Sequence, residues 1–248
     1  MMAPGTGNPP RVKVEIVIDD VEGALVAERE GADRVELCAD LGVGGTTPSI
    51  GMIRGVLAAV DSVGVQIMVR PRGGHFVYAD HEIGVMEADA RAIAEIARSA
   101  SVRVGIVTGA LTPAGDVDTA ALGRVIDAAG DVPVTFHKAI DATADALAAF
   151  ASLVPFVERG LERVLTSGGA ATALEGAPTL RAMLAVAGGP AVLAGGGVRP
   201  HNIDALLGAV PVGEVHLRAQ APSPRGDGTL VTDPAVVSAA VAAAAARP

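Results

Sequence analysis

The run Gln66-Ile67-Met68-Val69-Arg70-Pro71-Arg72-Gly73-Gly74-His75-Phe76-Val77-Tyr78 joins an apolar, β-branched segment to a loop that holds two arginines, two glycines, a histidine and two aromatics. It reads as a buried strand opening directly into a contact loop. The chain has four Phe, one Tyr and no Trp, yet Phe76 and Tyr78 both lie in this loop. Aromatics placed there suit a ligand site at a strand's carboxyl end, where parallel α/β proteins bind small molecules. The plainer reading is that Phe76 and Tyr78 close one end of the core while Arg70 and Arg72 satisfy carbonyls or carboxylates.

Outward from this run, the same unit of strand and helix recurs. Strands are expected at 12–18, 33–38 and 65–70, and again at 102–107, 132–137, 163–167, 191–194 and 212–217. Between them, Asp19 stands three residues ahead of Glu22 in a capping-box pattern, and Thr47-Pro48 places proline at a helix start. Asp80 is expected to cap a helix to about residue 99, with further helices over 117–130, 143–160, 178–188 and 200–208. Eight such units predict an α/β fold, a (β/α)8 TIM-type barrel forming a single domain over 12–248, behind a flexible tail of residues 1–11. An open doubly wound sheet would need two less buried edge strands, and no such pair stands out. A polar loop over 218–233 and an alanine-rich closing helix over 234–246 follow. That helix is suited to packing on the barrel or on a second copy in a homodimer.

At 248 residues, half of them apolar, the chain can fill one large core. Its net charge of −9, without a basic cluster, argues against nucleic acid and against an anionic membrane surface as partners. A small anionic ligand stays compatible, because local arginines decide that. The single cysteine, Cys38, rules out an intrachain disulfide and fits a reducing cytoplasm. No run of 18 apolar residues appears, and the Gly- and Pro-rich start does not read as a signal peptide.

Alternation along a barrel strand sends every second side chain into the lumen. Glu15 then shares a face with Val17, Glu36 with Cys38, Gln66 with Met68 and Arg70, Thr135 with His137, and Glu214 with His216. A satisfied ion network is one account of these groups. The other is a site in which Glu15 or Glu36 serves as general base, His137 as acid, and His216 as a second proton carrier or metal ligand. Arg70 and Arg72 would hold an anion. So would the turn at Thr166-Ser167-Gly168-Gly169 and the amides of Gly195, Gly196 and Gly197, since glycine turns near strands seven and eight often bind phosphate in barrels.

With Glu15-Ile16-Val17-Ile18-Asp19, Gly31-Ala32-Asp33-Arg34-Val35-Glu36-Leu37-Cys38 and Gly44-Gly45-Thr46-Thr47-Pro48-Ser49 in view, the sequence resembles the CutC family. The resemblance continues through Met68 to Gly74, Gly109-Ala110-Leu111-Thr112-Pro113, Thr135-Phe136-His137-Lys138-Ala139, Leu165 to Gly169 and Gly195 to Pro200. It implies a TIM-type barrel, a cytoplasmic protein and copper homeostasis, with Cu(I) as the ion bound. Similar family members often carry a cysteine where Val17 stands, which would face Cys38. Here Cys38 would act with Met68, a thioether, or with an imidazole, because soft Cu(I) prefers sulfur. The residues shared with the family suit an enzyme as well as a copper carrier.

Overall fold

Eight parallel strands close on themselves in chain order, β1 (Lys13–Ile18), β2 (Arg34–Leu37), β3 (Gly64–Met68), β4 (Val104–Thr108), β5 (Val134–Phe136), β6 (Leu161–Thr166), β7 (Ala191–Gly195) and β8 (Glu214–Arg218). This is the TIM-type barrel expected from the sequence. The structure, a computed structural model, describes residues 11–246; the tail expected over 1–11 lies outside this range except for Arg11. Around the barrel run α1 (Val21–Arg29), α2 (Ile50–Ala59), α3 (Asp80–Ala97), α4 (Thr119–Ala129), α5 (Ala146–Ser152), α6 (Ala177–Leu184), α7 (Ile203–Ala209) and α8 (Pro234–Ala245).

Local chemistry sets the boundaries, in places differently from the sequence expectation. Asp20, not Asp19, caps α1 by accepting from the Gly23 amide at 2.6 Å. Ser49 caps α2 through the Met52 amide, so Pro48 lies just outside the helix instead of at its first position. Ala79 precedes α3, where the Glu82 carboxylate reaches back to accept from the Ala79 amide at 2.8 Å. The segment 143–160 is not one helix. Pro155 lacks the amide hydrogen a continuing helix requires, and the chain turns into a 3-10 helix at Val154–Arg159 after α5 ends. The polar loop 218–233 also carries structure, a hairpin of β9 (Gln220–Pro222) and β10 (Leu230–Thr232).

The strands separate two environments. Val14, Ile16 and Ile18 of β1, like Val65 and Ile67 of β3, are fully buried against the helices in the main apolar core. The alternate side chains face a lumen that is largely polar. Arg163 on β6 donates to Gln66 on β3 at 3.3 Å, and these strands are not neighbours, so the contact crosses the barrel. Gln66 has room because β4 places Gly105 beside it; a Cβ there would sit 2.2 Å from Gln66 Oε1.

At the floor, Arg34 donates from Nε to Glu15 Oε2 at 2.7 Å and from Nη2 to Glu214 Oε2 at 2.6 Å. Strand pairing explains the meeting. β1 lies between β2 and β8, with Glu15 registered against both Arg34 and His216. Burial opposes charge on Arg34, but the two carboxylates outweigh it and raise its pKa further. Removing one member of such a network leaves buried charges unpaired. Arg34→Met is therefore expected to lower unfolding free energy by about 3–5 kcal/mol in denaturant titrations. A loss under about 1 kcal/mol would show that water or a rearranged partner satisfies Glu15 and Glu214.

Candidate active site

Above this charged floor the lumen widens into a cavity of about 350 Å³. Its walls come from the carboxyl ends of the strands and the loops after them, the face on which barrel enzymes carry their chemistry. Glu36, Cys38, Met68, Arg70, His137 and His216, all expected at a site, line it, and so do Lys138 and Arg218. Apolar surface is supplied by Val17, Leu41, Phe76 and Leu165 among others. Glu36 is the one carboxylate in that lining, among three cationic side chains.

The central arrangement is Glu15, His216 and Glu36. His216 Nδ1 lies 3.0 Å from Glu15 Oε1, and Nε2 lies 3.7 Å from Glu36 Oε2. Burial pushes Glu15 up, but the His216 hydrogen bond and the Arg34 charge prevail and hold its pKa at about 2. Among the described residues no arginine pairs with Glu36. Burial, opposed by the His216 charge and reinforced by that of Glu15, raises its pKa to about 7. Its Oε1 is buried without a hydrogen-bond partner. His216 is itself raised, since Glu36 and Glu15 offset the cost of burying its cation. Two neighbouring carboxylates are thus driven apart in acidity, the signature of distinct acid and base roles.

The three groups offer ligand atoms within 4.8 Å of one another. The carboxylates, however, take opposite nitrogens of one imidazole, with Glu15 at Nδ1 and Glu36 towards Nε2. That order suits a line of proton transfer better than a chelate, whose donors converge on one point.

His137 differs in kind. Its Nδ1 accepts from the Ala139 amide at 3.2 Å, which leaves the ring proton on Nε2. Burial, with the Arg70 charge second, lowers its pKa to about 3. His137, expected from the sequence as an acid, is therefore a neutral imidazole near pH 7. Its Nε2 is buried and unpartnered.

The arginines follow the plainer reading of the loop. Arg70 donates to the carbonyls of Val43, Gly45 and Gly74 at 2.9–3.0 Å and stacks on Phe76, so it ties two loops together at the rim. Arg72 lies outside the cavity lining, paired with Glu82 at 2.6 Å and placed over Tyr78.

The expected anion turn holds an anion of its own. Asp141 accepts from Thr166 Oγ1 at 2.5 Å and from the amides of Ser167 and Gly169 at 3.0–3.1 Å, and it pairs with Lys138 Nζ at 2.5 Å. Ser167 Oγ turns away to donate to Ala170 O. The Gly195 to Gly197 turn is crowded as well; Cβ atoms added at Gly196 and Gly197 would lie 3.0 Å from Ser167 and 2.9 Å from Thr172.

Sequence reasoning passed over Arg34, Lys138, Asp141 and Arg218. Arg34 carried a usable signal, standing two residues before Glu36 on one strand face. Asp141, in the 3-10 helix Lys138–Ala142 and 25 residues from Thr166, carried none.

Comparison with known proteins agrees with this architecture. The family model described as "CutC family" matches residues 12–221. A human protein named copper homeostasis protein cutC homolog is 41% identical over 208 residues, covering 84% of this chain and 73% of that protein. A family protein CutC from Histophilus somni (strain 2336) is also 41% identical, with coverages of 84% and 82%. Among solved structures, the putative copper homeostasis protein CutC of Streptococcus agalactiae superposes with a TM-score of 0.74 at 29% identity, covering 83% of this chain and 97% of its own. Phosphoribosyl anthranilate isomerase from Thermus thermophilus shares the barrel alone, with a TM-score of 0.54 at 17% identity over 93% of this chain and 97% of its own.

In the folded chain Glu36 keeps a proton that the unfolded chain releases between pH 4.5 and about 7. Its contribution to stability therefore falls as pH rises through that window. Relative to wild type, Glu36→Gln is expected to be more stable at pH 8 than at pH 4.5, by about 2–3 kcal/mol in paired denaturant titrations. An offset that does not change with pH would mean that this carboxyl titrates normally.

Proposed function

The chain belongs to the CutC family, and from that premise we propose that its barrel mouth performs acid and base chemistry on a small anionic molecule, phosphorylated or sugar-like. The observation that carries this reading is Glu36, whose buried Oε1 has no partner at the base of a cavity rimmed by Arg70, Lys138 and Arg218. A carboxyl with a pKa near 7 gives and takes protons with equal ease at neutral pH. Glu15 fixes the His216 ring, and His216 stabilises the carboxylate that forms on Glu36. An anion would meet Lys138, which Asp141 positions, and Arg218 together with Arg70, whose guanidinium is shared with three carbonyls. The single cysteine supports a cytoplasmic setting, and the alanine-rich α8 is the surface we would assign to a homodimer.

The test is a thermal-shift screen of anionic sugars and phosphorylated metabolites, followed by turnover assays on the hits. Glu36→Gln is expected to lose 10²- to 10⁴-fold in kcat with KM within a few fold. Turnover that survives this substitution sinks the assignment.

Cu(I) binding is the second reading, and a specific feature favours it. Cys38 and Met68 meet on one side of the cavity; a Cβ added at Gly45 would be 2.9 Å from Cys38 Sγ and 3.6 Å from Met68 Cε. Two soft sulfur donors in a cavity that His216 also lines suit Cu(I), and Val17, beside them, stands where the family resemblance places a second thiol. Burial and the Glu36 charge push the Cys38 thiol well up, so binding must release a proton, and Glu36 Oε2 lies 3.8 Å from Sγ to take it. Purified protein is then expected to bind about one Cu(I) per chain, more weakly as pH falls, and Cys38→Ala to abolish uptake. Unchanged uptake by that variant would place the copper elsewhere.

A further inference from the structure

We propose that the cavity enolises a small hydroxy-aldehyde or hydroxy-ketone, with the Nε2–H of His137 as the donor that receives the negative charge formed on the carbonyl oxygen. The inference rests on the reading of Glu36 as the proton-transferring group and adds the reaction class and a second catalytic residue.

The residues lining the cavity contribute three unpartnered polar atoms; one, Arg70 Nε, sits on a guanidinium whose other nitrogens are held by carbonyls, which leaves Glu36 Oε1 and His137 Nε2. Glu36 Oε1 is an acceptor without a donor, and His137 Nε2–H is a donor without an acceptor. Leaving either buried and unmatched is costly, so each marks a place where a ligand atom of opposite character belongs. The ligand must therefore offer a proton at one point and an oxygen acceptor at the other. A carbon bearing hydrogen and hydroxyl, next to a carbonyl, supplies both within one small group.

His137 is locked in the tautomer this role demands. The Ala139 amide occupies Nδ1, and the Nδ1–Cε1 edge rests on Gly109, where an added Cβ would sit 2.5 Å from Nδ1. Phe76 and Phe136 pack on the ring at centroid separations of 5.1 and 6.0 Å and hold its plane. A fixed donor of this kind needs no reorganisation as charge develops, and a neutral imidazole keeps its proton as the reaction proceeds.

The step balances without a cofactor. The Glu36 carboxylate takes the proton from the carbon next to the carbonyl. The C–H electron pair becomes the new carbon–carbon π bond, and the carbonyl π pair moves onto oxygen, where Nε2–H holds it. Return of the proton from the Glu36 carboxyl to the same face of that carbon restores the substrate, with solvent hydrogen incorporated when the carboxyl has exchanged its proton. The rim cations Lys138 and Arg218 fit a substrate that carries an anionic group at its far end.

Two measurements test this. The first is ¹⁵N NMR of histidine-labelled protein titrated from pH 5 to 8. His137 is expected to stay neutral with its proton on Nε2; a cationic ring or an Nδ1–H tautomer overturns the donor role. The second is deuterium incorporation at carbon, read by mass spectrometry in D₂O, with glyceraldehyde, dihydroxyacetone and their phosphates as probes. Wild type is expected to exchange at least one of them, His137→Gln to lose about 10²- to 10³-fold, and Glu36→Gln at least 10²-fold. Full exchange by His137→Gln overturns this inference while leaving the Glu36 reading intact. Full exchange by Glu36→Gln overturns the reading beneath it. No exchange by wild type on any probe overturns the carbonyl class, and a ¹³C titration of the Glu36 carboxyl then decides separately whether the base is poised near neutrality.

Discussion

The bridge from Arg34 to Glu15 on one side and Glu214 on the other is the constraint from which the rest follows. A barrel lumen usually fills with branched apolar side chains. This one admits carboxylates, and an ionised carboxylate deep in protein is tolerable only when it is paired and hydrogen-bonded. Arg34 meets that condition for two of them at once. Burial raises the pKa of Glu36, one step nearer the mouth, and among the described residues no guanidinium pairs with it to offset that cost.

Allocation of cations thus turns a string of similar side chains into groups with different duties. Glu15 is permanently charged and orients His216; Glu36 shares its proton. Cys38 feels the same negative surroundings and stays a thiol, which suits a buried soft donor that opens only to a strongly binding ion. The acid and base reading and the copper reading draw on one electrostatic field, which is why both converge on the same few residues.

The barrel was legible because its strands carry apolar β-branched residues on the face towards the helices, as at Val14, Ile16 and Ile18. Alternation alone is enough to direct Glu15, Glu36, Gln66, Met68 and His216 to the lumen. What alternation does not convey is which partner each charge takes. The Glu15–His216 contact joins residues 201 positions apart, and which nitrogen meets which carboxylate depends on the closing of the barrel. Arg70 and Arg72 show the same for cations. A guanidinium on a strand-end loop satisfies carbonyls as readily as ligands, and here Val43, Gly45 and Gly74 present theirs. The interruption at Pro155 was visible in the sequence, but the surrounding helical residues obscured it.

Asp141 gives the mouth one more property. In many barrels the turn after strand six or seven awaits a phosphate from outside, and the empty loop has to be ordered when the ligand arrives. Here a carboxylate of the chain itself satisfies those amides and anchors Lys138 alongside. The turn is finished without an outside guest, so a molecule entering this mouth would forfeit little conformational entropy in ordering it.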